Sequence, residues 1–349
     1  MTVLFAAGGT GGHLYPAFAI ADALRARGDD ALFVGTRDRL EARLVPAAGY
    51  RFETIAAHPL RRRLSVDLVK TVAANAAGFF QALRVLERAR PSLVVATGGY
   101  VCVPLVLAAR ADRTLRRRRM PVALLEPNVV AGIANRILAP FVDETWDAAT
   151  TGVPVRASLL HLQQRGDAAA ALGLDPERKT VLAFGGSLGA RSINDAVAAL
   201  VLGGGVPSGW QVLLVTGADD YERVRAAIGS VAIVRSYLDD PAQAYAAADL
   251  VIARAGASTL AELRALRLPA VLVPYPHAAE AHQRANAVAA AATGAAVVVD
   301  DAALAGGLRS LLARIANPER LAAMRVAAGP AGDPVAAILA RIDALTSRT

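Results

Sequence analysis

Short apolar runs recur along the chain at the length of buried strands. Each ends in glycine or polar residues and leads into a segment whose apolar positions repeat every three or four residues. In the first half the runs at 2–6, 31–34, 52–55, 92–96 and 121–125 predict strands, and the periodic segments from about 15 to 27 and 66 to 89 predict helices. Near-continuous apolar strands alternating with helices are the pattern of a parallel sheet covered on both faces. The pattern breaks at Gly152-Val153-Pro154-Val155-Arg156, and a Gln- and Ala-rich connection with a helix runs to Gly173. It then restarts with strands at 180–184, 211–215, 231–234, 249–252, 270–273 and 296–299 and a helix at 191–202. The strand, glycine loop and helix beginning at Thr180 echo the opening of the chain, a weak repeat of architecture. The expected fold is α/β, two doubly wound Rossmann-like domains at 1–155 and 156–349 whose parallel sheets face an interdomain cleft. A return of the last helix, from about residue 334, to the first domain is left open.

Composition sharpens this picture. A chain of 349 residues fits two domains at roughly 150 residues each, and 54% hydrophobic content excludes disorder. Cys102 is the single cysteine, so neither an internal disulfide nor a cysteine metal cluster is available, which fits a reducing cytoplasm. No run of about 18 apolar residues occurs, and the first strand meets a glycine loop too soon for a signal peptide; a protein neither exported nor membrane-spanning is expected. The net charge of +8 calls for an anionic partner. Arg61-Arg62-Arg63 and Arg116 to Arg119 flank a helical segment with Leu68, Val72, Phe79 and Phe80, a combination suited to an anionic membrane surface. No nucleic-acid motif accompanies the charge, so nucleic acid is not an expected partner.

The candidate chemistry gathers at strand ends. After the run at 248–252, Arg254-Ala255-Gly256-Ala257-Ser258-Thr259 opens a helix whose exposed N–H groups suit a phosphate, with Glu262 one turn in. Thr259 and Glu262 also spell a T-x-x-E capping box that needs no ligand. The polar residues at the next strand end, Pro274-Tyr275-Pro276-His277, then His282, Gln283 and Asn286, favour a ligand site. At the other end of the chain Gly8-Gly9-Thr10-Gly11-Gly12-His13 links a strand to a helix without dinucleotide spacing or a P-loop lysine. Thr97-Gly98-Gly99-Tyr100 and Glu126-Pro127-Asn128 end two further strands, and Gly185-Gly186-Ser187-Leu188-Gly189-Ala190 ends the first strand after the break.

These motifs, in this order and spanning nearly the whole chain, resemble the MurG family, peripheral-membrane N-acetylglucosaminyltransferases of peptidoglycan synthesis with the GT-B fold. The resemblance implies inverting transfer of N-acetylglucosamine from UDP-N-acetylglucosamine to the C4 hydroxyl of a lipid-linked muramyl-pentapeptide, lipid I, at the cytoplasmic face of the cell membrane. By the same resemblance the donor site uses Thr10, Gly11, Gly12, Asn128, Arg156, Ser187, Leu238, Ala257, Ser258, Thr259, Leu260, Ala261, Glu262 and Gln283, with Glu262 on the ribose. The chain departs from the family pattern at Leu125 and Pro127, where the family often has His-Glu-Gln-Asn, and at Leu188, where a glutamine is usual. Leucine cannot hydrogen-bond a sugar hydroxyl. Another GT-B sugar-nucleotide enzyme, a glycolipid transferase or epimerase, and a non-catalytic sugar-nucleotide-binding protein are the alternatives.

The reaction makes separate demands. A UDP leaving group needs its developing charge met by fixed dipoles, which helix starts supply. Metal and cofactor are then unnecessary, and the adjacent pairs Asp219-Asp220 and Asp239-Asp240 lack D-x-D spacing. The acceptor hydroxyl needs a base: His13, at a helix N-terminus that disfavours imidazolium, is the first candidate, and Glu126 the reserve. His277 and His282 are expected to line a pocket or open a helix, Tyr100 and Tyr275 to border a pocket or the core, and His58 and His161 carry no argument.

Overall fold

Two six-stranded sheets, all parallel, organise the chain, and in each the strand order reverses once. The computed structural model describes residues 1–9, 11–58, 66–117, 119–186, 188–238, 240–278, 281–330 and 332–347. Thr10, Arg61 to Arg63, Arg118, Ser187 and Asp239 lie outside the described residues. Two compact units result, Met1–Arg156 joined by Asp333–Thr349, and Ala157–Gly332.

The first unit runs β1 (Thr2–Ala6), α1 (Gly11–Ala26), β2 (Asp30–Gly35), α2 (Leu40–Ala47), β3 (Arg51–Thr54), α3 (Val66–Ala89), β4 (Leu93–Ala96), α4 (Cys102–Arg116), β5 (Val122–Glu126), α5 (Ile133–Leu138) and β6 (Glu144–Asp147). The sheet order is β3-β2-β1-β4-β5-β6. Period-two alternation sends side chains of each strand to opposite faces. Leu4, Ala6, Val94 and Ala96 pack with Leu86 and Leu105 of α3 and α4. Val3, Phe5, Leu93 and Val95 pack on the other face with Leu14, Ile20 and Leu24 of α1. Both faces are covered, so the strands read as continuous apolar runs.

The second unit runs α6 (Arg165–Ala171), β7 (Lys179–Phe184), α7 (Arg191–Leu202), β8 (Trp210–Val215), α8 (Tyr221–Ile228), β9 (Ile233–Arg235), α9 (Ala242–Ala247), β10 (Leu250–Ala253), α10 (Ala257–Ala265), β11 (Ala270–Leu272), α11 (His282–Ala292), β12 (Ala296–Val298), α12 (Leu304–Ile315) and α13 (Pro318–Ala327). Its order is β12-β11-β10-β7-β8-β9. Val181, Ala183, Leu250 and Ile252 form one core with Val197 of α7 and Leu308 and Leu312 of α12.

The last helix, α14 (Pro334–Ser347), belongs to the first unit. Ile338, Ile342 and Leu345 recur at helical spacing and bury against α1 and the sheet. Each such burial contributes about 1.5–3 kcal/mol. An Arg27–Asp343 ion pair at 2.9 Å flanks the contact.

Three local features differ from the sequence expectation. α1 starts at Gly11 rather than near Tyr15, which puts His13 inside its first turn. β6 was not anticipated, because Glu144-Thr145-Trp146-Asp147 is a short edge strand in which only Trp146 is buried. α4, also unanticipated, buries Cys102, Leu105 and Val106 against the sheet.

Cys102 is fully buried, and burial pushes its thiol up to about 12. The thiol donates to the Gly98 carbonyl at 3.0 Å. Native protein at pH 8 is therefore expected to resist iodoacetamide, with stoichiometric alkylation after denaturation, read by intact-mass spectrometry. Rapid native alkylation contradicts this packing.

Candidate functional site

Ligands of open parallel sheets sit outside the carboxyl ends of strands where the strand order reverses. In the first unit that point lies between β1 and β4, so the segments after them, 7–9 and 97–101, share it. His13 Nδ1 lies 2.8 Å from the Thr97 carbonyl oxygen at the end of β4. A carbonyl only accepts, so in the neutral ring Nδ1 carries the hydrogen and Nε2 holds the basic lone pair. The turn after Thr97 shapes itself to the ring. Gly98 has φ +105°, and a Cβ there would stand 2.6 Å from His13 Nδ1.

The glycine loop has a second support, absent from the sequence reading. Glu41, on α2 and 1% exposed, accepts from the Gly9 N–H at 3.0 Å, the Thr36 N–H at 3.0 Å and the Thr36 hydroxyl at 2.7 Å. A buried carboxylate requires such donors. It anchors the loop leading into α1 to the end of β2. Its only sequence signal is a glutamate in the first turn of a helix, which ordinarily means a favourable helix dipole and nothing more. At the start of α1, Tyr15 packs its ring along Gly11 and carries the Arg156 guanidinium 3.9 Å above its centroid. Gly11, Gly12, His13 and Arg156 thus gather at one helix start.

Glu126 ends β5 and is 4% exposed. Its Oε1 accepts from the Asn128 N–H at 2.8 Å and Asn128 Nδ2 at 2.9 Å, and its Oε2 from the Gly132 N–H at 3.1 Å and Asn135 Nδ2 at 2.7 Å. Four donors engage the carboxylate in organising 126–135. This arrangement makes Glu126 an anchor of its loop, and it orients Asn128. A cavity of about 310 Å³ opens beside it, lined by Glu126, Asn128, Asn135, Arg136 and Asp147 among others.

In the second unit the reversal lies between β7 and β10. Gly256 is the N-cap of α10 with extended backbone and no side-chain cap. Ala257, Ser258 and Thr259 are its first three residues, whose N–H groups have no carbonyl within the helix to receive them. The alternative T-x-x-E capping box at Thr259 is not formed, since the helix N-cap is Gly256, three residues earlier. Glu262 is instead buried at 6% exposure and accepts from the Tyr245 hydroxyl of α9 at 2.8 Å. The companion loop after β7 is held by backbone approach. Gly189 has φ +77°, and a Cβ there would stand 1.9 Å from the Thr216 carbonyl. Leu188 is 88% exposed, so its side chain is available to no buried contact.

A buried cation ties these loops together. Arg254, at the end of β10, pairs with Asp301, donates to Ser192 Oγ at 2.9 Å and to the Val273 carbonyl at 3.2 Å, and Ser192 donates to Asp301 at 2.7 Å. Its guanidinium also lies 5.4 Å from the Tyr275 ring centroid. Gln283 accepts from the Tyr275 N–H at 2.9 Å, fixing the turn after β11. Asn286 donates to the Ala255 carbonyl at 3.3 Å. Leu238 is half-buried in the loop after β9. Leu260 and Ala261 continue α10. His277 stacks edge-on with Tyr275, and His282 opens α11. Among the described residues no three His, Cys, Asp or Glu side chains gather as a metal site.

Comparison with known proteins finds matches over most of the chain. The glycosyltransferase family 28 N-terminal domain matches residues 3–146, and the family 28 C-terminal domain matches residues 180–341. A protein of Halothermothrix orenii named UDP-N-acetylglucosamine--N-acetylmuramyl-(pentapeptide) pyrophosphoryl-undecaprenol N-acetylglucosamine transferase is 38% identical, covering 88% of this chain and 87% of its own. A protein of the same name from Frankia casuarinae is 40% identical, covering 99% and 96%. The crystal structure of Acinetobacter baumannii MurG superposes with a TM-score of 0.76 at 28% identity, covering 98% of this chain and 99% of that one. A Listeria monocytogenes structure titled as a UDP-N-acetylglucosamine 2-epimerase superposes with a TM-score of 0.67 at 13% identity, a likeness of fold alone.

The Gly98 contact yields a test. Gly98→Ala forces a Cβ onto the His13 ring and a strained backbone, so turnover should fall at least roughly tenfold while UDP affinity, measured by calorimetry, stays within about twofold. Unaltered turnover would separate the turn from the ring.

Proposed function

The chain belongs to glycosyltransferase family 28, and we infer that it transfers N-acetylglucosamine from UDP-N-acetylglucosamine to the C4 hydroxyl of undecaprenyl-pyrophosphoryl-N-acetylmuramyl-pentapeptide, releasing UDP. The observation that carries the mechanism is the His13–Thr97 bond, which leaves Nε2 as the proton-accepting atom of the ring.

The step is a displacement with inversion. The acceptor oxygen attacks the anomeric carbon, its proton passes to His13 Nε2, and the bond to the UDP oxygen breaks. The uncapped start of α10 and the start of α7 supply dipoles for the diphosphate charge. Glu262 receives the ribose hydroxyls. Arg156, over Tyr15, adds a fixed cation. Gln283 shapes the turn at Tyr275 on the donor side, and Asn128 stands on the loop held by Glu126. Thr10 and Ser187 keep the donor role that the family resemblance implies. Nothing in this sequence of events draws on a metal or cofactor.

We further propose that the first unit docks on an anionic membrane surface through α3 and α4. No helix among the described residues is long and apolar enough to cross a membrane. Phe80, Val72 and Leu115 are exposed at 61%, 54% and 77%, an apolar surface on two helices that pack together. Phe79 instead packs against the core, so it is not part of that surface. Arg116 is paired with Glu87 at 2.7 Å and Asp112 at 3.1 Å, which lowers the charge it can offer lipid.

Labelled donor incubated with lipid I should give labelled lipid II and UDP; UDP release with no labelled lipid would contradict the acceptor. His13→Ala should lower kcat by roughly 10²- to 10⁴-fold with donor KM near normal. Near-wild-type kcat would remove His13 from the base role. For the membrane, sedimentation with phosphatidylglycerol vesicles at low salt should pull down the protein, and Phe80→Ser with Leu115→Ser should reduce the bound fraction severalfold. Equal binding by the double variant would exclude this surface.

A further inference from the structure

Tyr245 belongs to none of the motifs that mark the site, yet it touches the carboxylate on which nucleotide recognition rests. It is 2% exposed on α9, and its hydroxyl donates to Glu262 Oε2 at 2.8 Å. The ring of Phe184, last residue of β7, stands edge-on to it at 6.0 Å and 79°, which limits how the phenol can swing. A ribose presents two neighbouring hydroxyls, and a carboxylate can accept both only if its plane is held against them. A carboxylate turns about its terminal torsion with little preference. A buried hydrogen bond to one oxygen removes that freedom and offsets the desolvation of the charge.

We infer that Tyr245 is a positioning residue that sets the orientation of Glu262, and through it the selectivity of the donor site for a ribonucleotide over a 2′-deoxyribonucleotide. The inference rests on the reading of Glu262 as the ribose acceptor. The burial of both groups gives it force: the bond between them is shielded from solvent, and the ring of Phe184 limits how the phenol can move. A bond that served stability alone would shift melting without changing the ratio of affinities for two nucleotides that differ by one hydroxyl.

The experiment measures calorimetric affinities for UDP and 2′-deoxy-UDP, with donor KM and kcat, in the wild type, Tyr245→Phe and Glu262→Ala. The wild type should prefer UDP by roughly 10- to 100-fold, the value of one hydrogen bond to a charged group. In Tyr245→Phe the preference should shrink at least roughly fivefold and donor KM rise by a similar factor, with kcat within about twofold. Full preference and unchanged KM in that variant overturn the inference. If Glu262→Ala keeps the wild-type preference, the ribose reading itself fails, and that outcome is distinguishable because it arises without touching Tyr245. Should Tyr245→Phe not fold, Phe184→Leu, which loosens the ring and keeps the hydroxyl, should narrow the preference at least roughly threefold, and an unchanged ratio there also overturns the inference.

Discussion

The reversal of strand order, once in each sheet, is the constraint on which the chemistry depends. Two adjacent parallel strands whose connections leave in opposite directions open a crevice at their carboxyl ends, and helix N-termini stand there. β1 and β4 create this point in the first unit, β7 and β10 in the second. The glycines at these ends follow from crowding rather than from looseness. Gly98 leaves room for an imidazole, and Gly189 leaves room for a carbonyl. The same dense packing that bars side chains there lets backbone dipoles face a ligand directly.

Buried carboxylates divide the labour around these points. Glu41 accepts from donors at Gly9 and Thr36, joining the loop before α1 to the end of β2, and Glu126 accepts from donors between Asn128 and Asn135, whereas Glu262 accepts from the Tyr245 phenol. Each of these bonds offsets the desolvation of a buried charge. Histidine suits the base role for a related reason: fixing one ring nitrogen specifies the function of the other.

Much of this was legible in the chain. The apolar runs located most strands within two residues, because strands buried on both faces leave an unambiguous pattern. The Thr97 turn, the opening glycine loop and the start of α10 were legible as strand-to-helix junctions. The capping box read as the alternative at Thr259 fails for a physical cause: the motif is defined relative to a helix start, and Gly256 caps this helix three residues before the N-cap position that the T-x-x-E pattern requires. β6 was missed because an edge strand with one buried residue carries no period. Tyr245 and Glu41 were illegible in principle. Each acts on a partner 17 and 32 residues away, and only the fold brings them together.

The departure at Leu188 shows how a site absorbs a substitution. The side chain at this position is exposed, and the loop itself is fixed by its backbone. The Leu188 carbonyl lies so close to Gly217 that a Cβ there would stand 2.5 Å from it, and Gly189 closes against Thr216. The side chain at 188 is therefore separable from the loop that presents the helix start of α7. Changing it leaves the helix start of α7 and its dipole intact. The backbone that presents the start of α7 is thus independent of the side chain at 188.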